Sequence, residues 1–193
     1  MKKLSRDFFG RDTAEVARDL LGKHLVRKLE GVFLRGKVVE TEAYYGEDDP
    51  PSHAASGETP RSKIMWGKPG LVYVYLVYGI HLMFNVVTEA EGRPGAVLVR
   101  AVEPLCGVDR MSDYRSGVEK GELTDGPGKL TEAFGIGREE NGLDLIKSEV
   151  LWMEDGPNVN SGEIKASGRI GVSEGKEEQL RFYLANSKFV SNS

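Results

Sequence analysis

The chain has 193 residues, 39% of them apolar, with three histidines, a single cysteine (Cys106), a formal charge of −4 and a pI near 5.5. That length supports one substantial core and would cramp two, so a single domain over residues 1–193 is expected. One thiol excludes an internal disulfide and, with three scattered histidines, makes no zinc set; neither a metal nor another cofactor is expected.

No apolar run approaches the roughly 20 residues of a bilayer-spanning helix, and the N-terminal Met-Lys-Lys-Leu-Ser-Arg-Asp-Phe lacks the apolar core of an export signal. A soluble, intracellular protein without a membrane partner is expected. In chain order, Asp12 followed by Glu15 predicts a helix start, with Val16, Ala17, Leu20 and Leu21 as its apolar stripe and Gly22 as its left-handed exit. His24 to Leu29, the Glu30-Gly31 turn and Val32 to Tyr45 predict a hairpin with a long second strand. Pro50-Pro51 marks a loop. Leu71 to Tyr78, Gly79 and Ile80 to Thr88 predict a second hairpin, and Ala96 to Val102 a further strand. Short helices are expected around Met111 to Arg115 and Leu130 to Phe134, and strands near Val150, Ile170 and Arg181. The stretch Ser116 to Gly128 is the best candidate for a mobile loop. The order predicts an α+β fold: a mixed, mainly antiparallel sheet with short helices and a protruding β-hairpin.

The charge is unevenly spread. Residues 42–58 hold Glu42, Glu47, Asp48, Asp49 and Glu58 with no Lys or Arg, whereas residues 61–101 set Arg61, Lys63, Lys68, Arg93 and Arg100 against Glu89 and Glu91, a local +3. An acidic molecule can therefore present a basic face, because local fields and not the sum guide a polyanion.

Two constellations carry chemistry. On the strand ending at Tyr45, alternation puts Glu40, Glu42 and Tyr44 on one face. Such carboxylates are ordinarily a solvated edge; a general base needs one that is ionised yet shielded, as an aromatic neighbour allows. On the second hairpin, Tyr73 and Tyr75 share a face while Tyr78 abuts Gly79 at the reversal. Strand tyrosines ordinarily pack cores, but a stiff ring on a hairpin tip can also wedge into a minor groove beside an extruded nucleotide.

Together these residues resemble the alkyladenine, or 3-methyladenine, DNA glycosylases of the mammalian type. The resemblance runs from about Leu4 to Ser191 and rests on Glu40-Thr-Glu-Ala-Tyr-Tyr-Gly46, His53, Thr59-Pro-Arg61, Lys68-Pro-Gly70 and Tyr73-Val-Tyr-Leu-Val-Tyr-Gly79. Asn85, Leu98-Val-Arg-Ala-Val-Glu-Pro104, Gly126-Pro-Gly-Lys-Leu130, Arg169-Ile-Gly-Val172 and Leu180-Arg-Phe-Tyr183 follow in the same order. It implies that Glu42 is the general base that activates a water against C1′, and that Arg100 lies near that water and the phosphate. It also implies that Tyr44, His53 and Tyr75 wall the pocket for a flipped base, that Asn85 crowds the exocyclic amino group of guanine, and that the backbone of Ile170 and Gly171 lies near the base. Tyr78 would intercalate, with Arg61, Met65, Ile80, His81 and Lys129 along the DNA.

The implied partner is double-stranded DNA bearing a damaged purine, bound by a monomer in the cytoplasm at the nucleoid of a prokaryote, or in the nucleus of a eukaryote. No lysine stands at the position of Glu42, so an abasic product with an intact backbone is expected. The long N-terminal extension of the mammalian proteins has no counterpart here, and partner contacts made through it are expected to be absent. The loop Tyr45-Gly-Glu-Asp-Asp-Pro-Pro departs from the family's pattern just before His53. Two other readings stand beside the first. One is a non-catalytic binding module, since the resemblance extends to the fold of a formyltransferase C-terminal domain. The other is a glycosidase acting on small nucleosides or sugars through the Glu40 and Glu42 pair.

Overall fold

Eight strands organise the computed structural model, which describes residues 1–191: β1 (His24–Leu29), β2 (Val32–Tyr44), β3 (Val72–Val77), β4 (His81–Val87), β5 (Ala96–Cys106), β6 (Leu151–Glu154), β7 (Ile164–Ser167) and β8 (Arg181–Leu184). They form one sheet in the order β3-β4-β5-β2-β1-β6, with β8 attached to β2 and β7 to β8. Every pairing among the described strands is antiparallel. With four short helices, α1 (Arg6–Phe9), α2 (Thr13–Asp19), α3 (Val108–Tyr114) and α4 (Pro127–Ala133), this is the expected α+β class.

β2 is the strand that positions the site. One edge pairs with β5 from Arg35 to Tyr44; the other pairs first with β1, from Val32 to Lys37, and then with β8, from Glu40 to Glu42. The sheet therefore branches at residues 38–40, and two irregularities mark the branch. Val38 opposes Val102, Glu40 opposes Ala101 and Thr41 opposes Val99, which leaves Val39 on β2 and Arg100 on β5 without opposite numbers. Bulges of this kind re-aim a side chain, and here they lie beside Glu40, Glu42 and Arg100.

The main core forms where the helices pack on the sheet. Helix α2 is capped by Asp12, whose Oδ1 accepts from the N–H groups of Ala14 and Glu15 at 3.0 and 3.1 Å, and buries Val16 and Ala17 with Leu20 against Val38, Val99 and Phe182. Helix α4 starts at Gly126-Pro127 and buries Leu130 with Phe134; each such side chain contributes about 1.5–3 kcal/mol by leaving water. A smaller cluster of Ala54, Met65, Tyr73, Val87 and Ala96 lies beneath the aromatic residues of the site.

One expectation is corrected. No strand runs through Ile170; β7 ends at Ser167, and Gly168 and Gly171 (φ +75°) break the ladder, so that the Ile170 N–H is given to a side chain instead. The segment from Ser116 to Gly128 contains a 3-10 turn at Lys120–Glu122. It is tied down after that turn, where Leu123 and Thr124 are buried and the Thr124 hydroxyl donates to the Val102 carbonyl.

Candidate active site

Glu42, held in β2 between β5 and β8, has no exposed surface. Its Oε1 accepts the Ile170 N–H at 2.7 Å, and its Oε2 accepts from the Tyr44 hydroxyl at 2.9 Å and from Arg100 Nη1 at 3.1 Å. All three partners are donors, the arrangement an ionised carboxylate accepts. Tyr44 remains a phenol, because burial and then the Glu42 charge raise its pKa well above the ordinary value. Arg100 is almost wholly buried; burial opposes its charge, but Glu42 and Glu40 outweigh it and hold its pKa above the usual arginine value.

Glu40 is different in kind. Its Oε1 accepts from Arg100 Nε at 2.9 Å, Arg181 Nε at 2.7 Å and the Ser191 hydroxyl at 2.8 Å, and its Oε2 from the Ser191 N–H at 2.7 Å. Held by two guanidinium groups and by both the N–H and the hydroxyl of Ser191, Glu40 is the counter-ion that fixes Arg100. The glycosidase reading needs two working carboxylates, and this arrangement leaves only Glu42 for one.

Beside Glu42 lies a cavity lined by Tyr44, Pro51, His53, Met65, Tyr73, Tyr75, Asn85 and Ala96. The expected walls Tyr44, His53 and Tyr75 are thus brought together, with Asn85 beside them. His53 and Tyr75 meet edge to face with centroids 4.5 Å apart, Tyr73 and Tyr75 are tilted at 5.1 Å, and His53 Nδ1 is 2.8 Å from the Tyr73 hydroxyl. Burial, and then the Arg61 charge, lower the His53 pKa to about 4, so the ring is neutral near pH 7. Asn85 spends both Nδ2 hydrogens on the carbonyls of Tyr73 (3.0 Å) and Met83 (3.2 Å), which locks its side chain. The cavity volume is ≈ 20 Å³, room for about one water. A flat ring larger than a water would fit only if the walls parted.

Glu42 is not among the residues lining this cavity; the Tyr44 hydroxyl connects it to the wall. Arg100 separates it from a second, wider cavity of ≈ 340 Å³ lined by His81, Met83, Arg100, Asp125, Lys129 and Ser191 together with Gly126, Pro127 and Gly128. The Lys129 ammonium is not free there, since Asp125 Oδ1 holds it at 2.9 Å.

Three of the residues expected along DNA lie at or near the tip of the β3–β4 hairpin. Val77 to Ile80 form a turn closed by the Ile80 N–H to the Val77 carbonyl, with Tyr78 at φ 52° and Gly79 at φ 76°, and both centres at positive φ are what such tight reversals need. Tyr78 is 88% exposed, Ile80 is exposed beside it, and His81 follows. One other expectation changes. Met65 faces no groove: at 1% exposure it is part of the cavity wall, because the 3-10 turn Lys63–Trp66 turns it inward against Ala54 and Ala96. Arg61 is exposed but lies over the Tyr75 ring, 5.1 Å from its centroid.

Pro51, Tyr73 and Ala96 were not singled out in the sequence as cavity residues, and neither was the buried pair Asp49 and Arg169 behind Tyr44. Only Tyr73 carried a signal, its two-residue spacing from Tyr75 on one strand face. Among the described residues no group of three or more His, Cys, Asp or Glu is placed to hold a metal, and no helix is long and apolar enough to cross a membrane.

A family model described as Methylpurine-DNA glycosylase (MPG) matches residues 7–188. A protein of Carboxydothermus hydrogenoformans named "Putative 3-methyladenine DNA glycosylase" is 47% identical over 188 residues, covering 97% of this chain and 98% of the relative. Proteins with the same name from Methanocella arvoryzae and Clostridium perfringens are 49% and 43% identical, each alignment covering at least 96% of both chains.

Proposed function

Because the chain belongs to the methylpurine-DNA glycosylase (MPG) family, we propose that it hydrolyses the N-glycosidic bond of alkylated or deaminated purines in double-stranded DNA, after the damaged nucleotide has turned out of the helix. The proposed substrates are 3-methyladenine, 7-methylguanine, hypoxanthine and ethenoadenine. A monomer acting in the cytoplasm at the nucleoid is the reading that fits relatives from bacteria and archaea.

The observation that carries this reading is one buried carboxylate, Glu42, packed between the Tyr44 hydroxyl at the aromatic cavity and the Arg100 guanidinium at the open one. Entry of a flat base requires the ≈ 20 Å³ cavity to widen. Displacement of Tyr44 widens it and, in the same movement, withdraws the hydroxyl from Glu42 Oε2, opening an acceptor position for a water. The water oxygen forms a bond to C1′, its proton passes to Glu42, and the bond from C1′ to the purine nitrogen breaks with its electron pair leaving on the base. An alkylated purine that was cationic departs neutral, so one carboxylate supplies enough help. Arg100, held by Glu40, keeps the carboxylate aimed and offers its remaining donors toward a phosphate in the wider cavity.

Tyr78, exposed on a tight turn and supported by Ile80, suits insertion into the stack where the nucleotide has left. Such an aromatic has no use on a free nucleoside, and a pure binding module has no use for a shielded carboxylate. The test is release of free purine from duplexes that each bear one of the four lesions. Free base with an uncut strand that breaks only on alkali or heat is expected; release from free nucleoside alone, or strand nicking without alkali, contradicts the reading.

A further inference from the structure

Behind the Tyr44 ring lies a buried ion pair with no part in the scheme above. The Arg169 guanidinium, wholly buried, sits 4.8 Å from the Tyr44 ring centroid. It is not among the cavity-lining residues, so it covers the ring from the protein side. Its Nη1 and Nη2 bind Asp49 Oδ2 and Oδ1, each at 2.7 Å, and Nη1 also donates to the Ala43 carbonyl at 3.0 Å. Asp49 Oδ2 in turn accepts the Tyr45 N–H at 2.8 Å. The only other carboxylate near the guanidinium among the described residues is Glu178, at 3.6 Å and 45% exposed.

The placement has a consequence for which bases the cavity prefers. A ring attracts a cation to either face through the same electron density, and a bare guanidinium behind Tyr44 would repel a second cation arriving in front. Asp49, buried and bidentate, cancels that charge where the solvated Glu178 cannot. We propose that the Asp49–Arg169 pair is a specificity determinant: Arg169 stiffens and positions the Tyr44 wall, and Asp49 neutralises it so that the wall still accepts positively charged purines. Tyr75 gives the contrast. Its guanidinium neighbour, Arg61, is exposed, so water screens it without a buried partner. The same pair ties together three pieces of the site, since Asp49 anchors the loop that leads to His53 and Arg169 precedes the Ile170 N–H that binds Glu42.

The inference rests on the proposed base excision and is tested by comparing two lesions. Initial rates of base release are measured on duplexes identical except for one base, N7-methylguanine, which is cationic, or hypoxanthine, which is neutral, for the parent chain, Asp49→Asn and the double variant Asp49→Asn with Arg169→Gln. In Asp49→Asn the ratio of kcat/KM for the cationic to the neutral lesion should fall roughly twentyfold, the factor that a bare charge about 9 Å away produces at the effective dielectric of a protein site. The loss should lie in KM, and the double variant should return the ratio to the parent value or above. Rates that fall together for both lesions, with an unmoved ratio, would assign the pair a structural role only and overturn the proposal. If Asp49→Asn does not fold, Arg169→Gln decides alone: it leaves Asp49 unopposed behind the ring, so a ratio above the parent supports the proposal and a ratio at or below the parent overturns it. Failure of the parent chain to release either base would instead strike at the excision reading itself.

Discussion

Arg100 reaches Glu42 from a position in β5 that has no opposite number on β2, donating to Oε2 at 3.1 Å. The bulge and not simple alternation gives the guanidinium its direction, so its fork geometry should matter as much as its charge. Arg100→Lys keeps the charge and loses the fork that spans Glu40 and Glu42. Single-turnover base release is expected to slow by about 10–100-fold, that is by about 1.4–2.7 kcal/mol of barrier.

Glu40 should separate stability from chemistry. Removing its charge leaves Arg100 and Arg181 short of a buried counter-ion, and breaking a buried pair costs about 3–5 kcal/mol. Glu40→Gln is expected to lower the unfolding free energy by about 3 kcal/mol in denaturant titrations, yet to retain measurable base release because Glu42 is untouched.

His53 gives the acid limit of the site a sign. Burial, then Arg61, depress its folded pKa to about 4 from the ordinary 6.5, so between those values the unfolded chain binds the extra proton and stability falls as pH falls. The His53 contribution is complete above pH 6.5 and is lost progressively toward pH 4. His53→Gln, which cannot gain that proton, should show a flatter loss of stability across this window, read from denaturation midpoints at stepped pH.

Tyr78 should be dispensable for folding and not for work on duplex DNA. At 88% exposure it packs against little, so Tyr78→Ala should change stability by less than about 0.5 kcal/mol. Base release from duplex should drop by about tenfold or more, since stacking of a base on an aromatic contributes about 1–3 kcal/mol. Equal activity of the variant and the parent on duplex would remove the wedge from the account.

Much of this arrangement is visible in the sequence because it depends on local rules. Alternation along residues 32–44 and 72–87 puts Glu42, Tyr44, Tyr73 and Tyr75 on working faces, the Tyr78-Gly79 pair marks the reversal, and Gly126-Pro127 marks a helix start. What stayed hidden depends on distant or irregular features. Asp49 and Arg169 are 120 positions apart, and no local pattern pairs them. The Ile170 N–H reaches Glu42 because two glycines prevent a strand there. Met65 follows Lys63 and Ile64 in a turn with no clear period, so its inward direction comes from the apolar cluster around it.

The central claim is that the Glu42 carboxylate performs the hydrolysis and contributes little to holding the DNA. Its most direct test is Glu42→Gln assayed on one duplex carrying a single lesion, with single-turnover base release and equilibrium binding measured on the same preparation. The account predicts that base release falls by at least a hundredfold, the lower end of what a positioned base supplies, while the dissociation constant for damaged duplex stays within about threefold, less than 0.7 kcal/mol. Base release at the parent rate by the Glu42→Gln protein would contradict it.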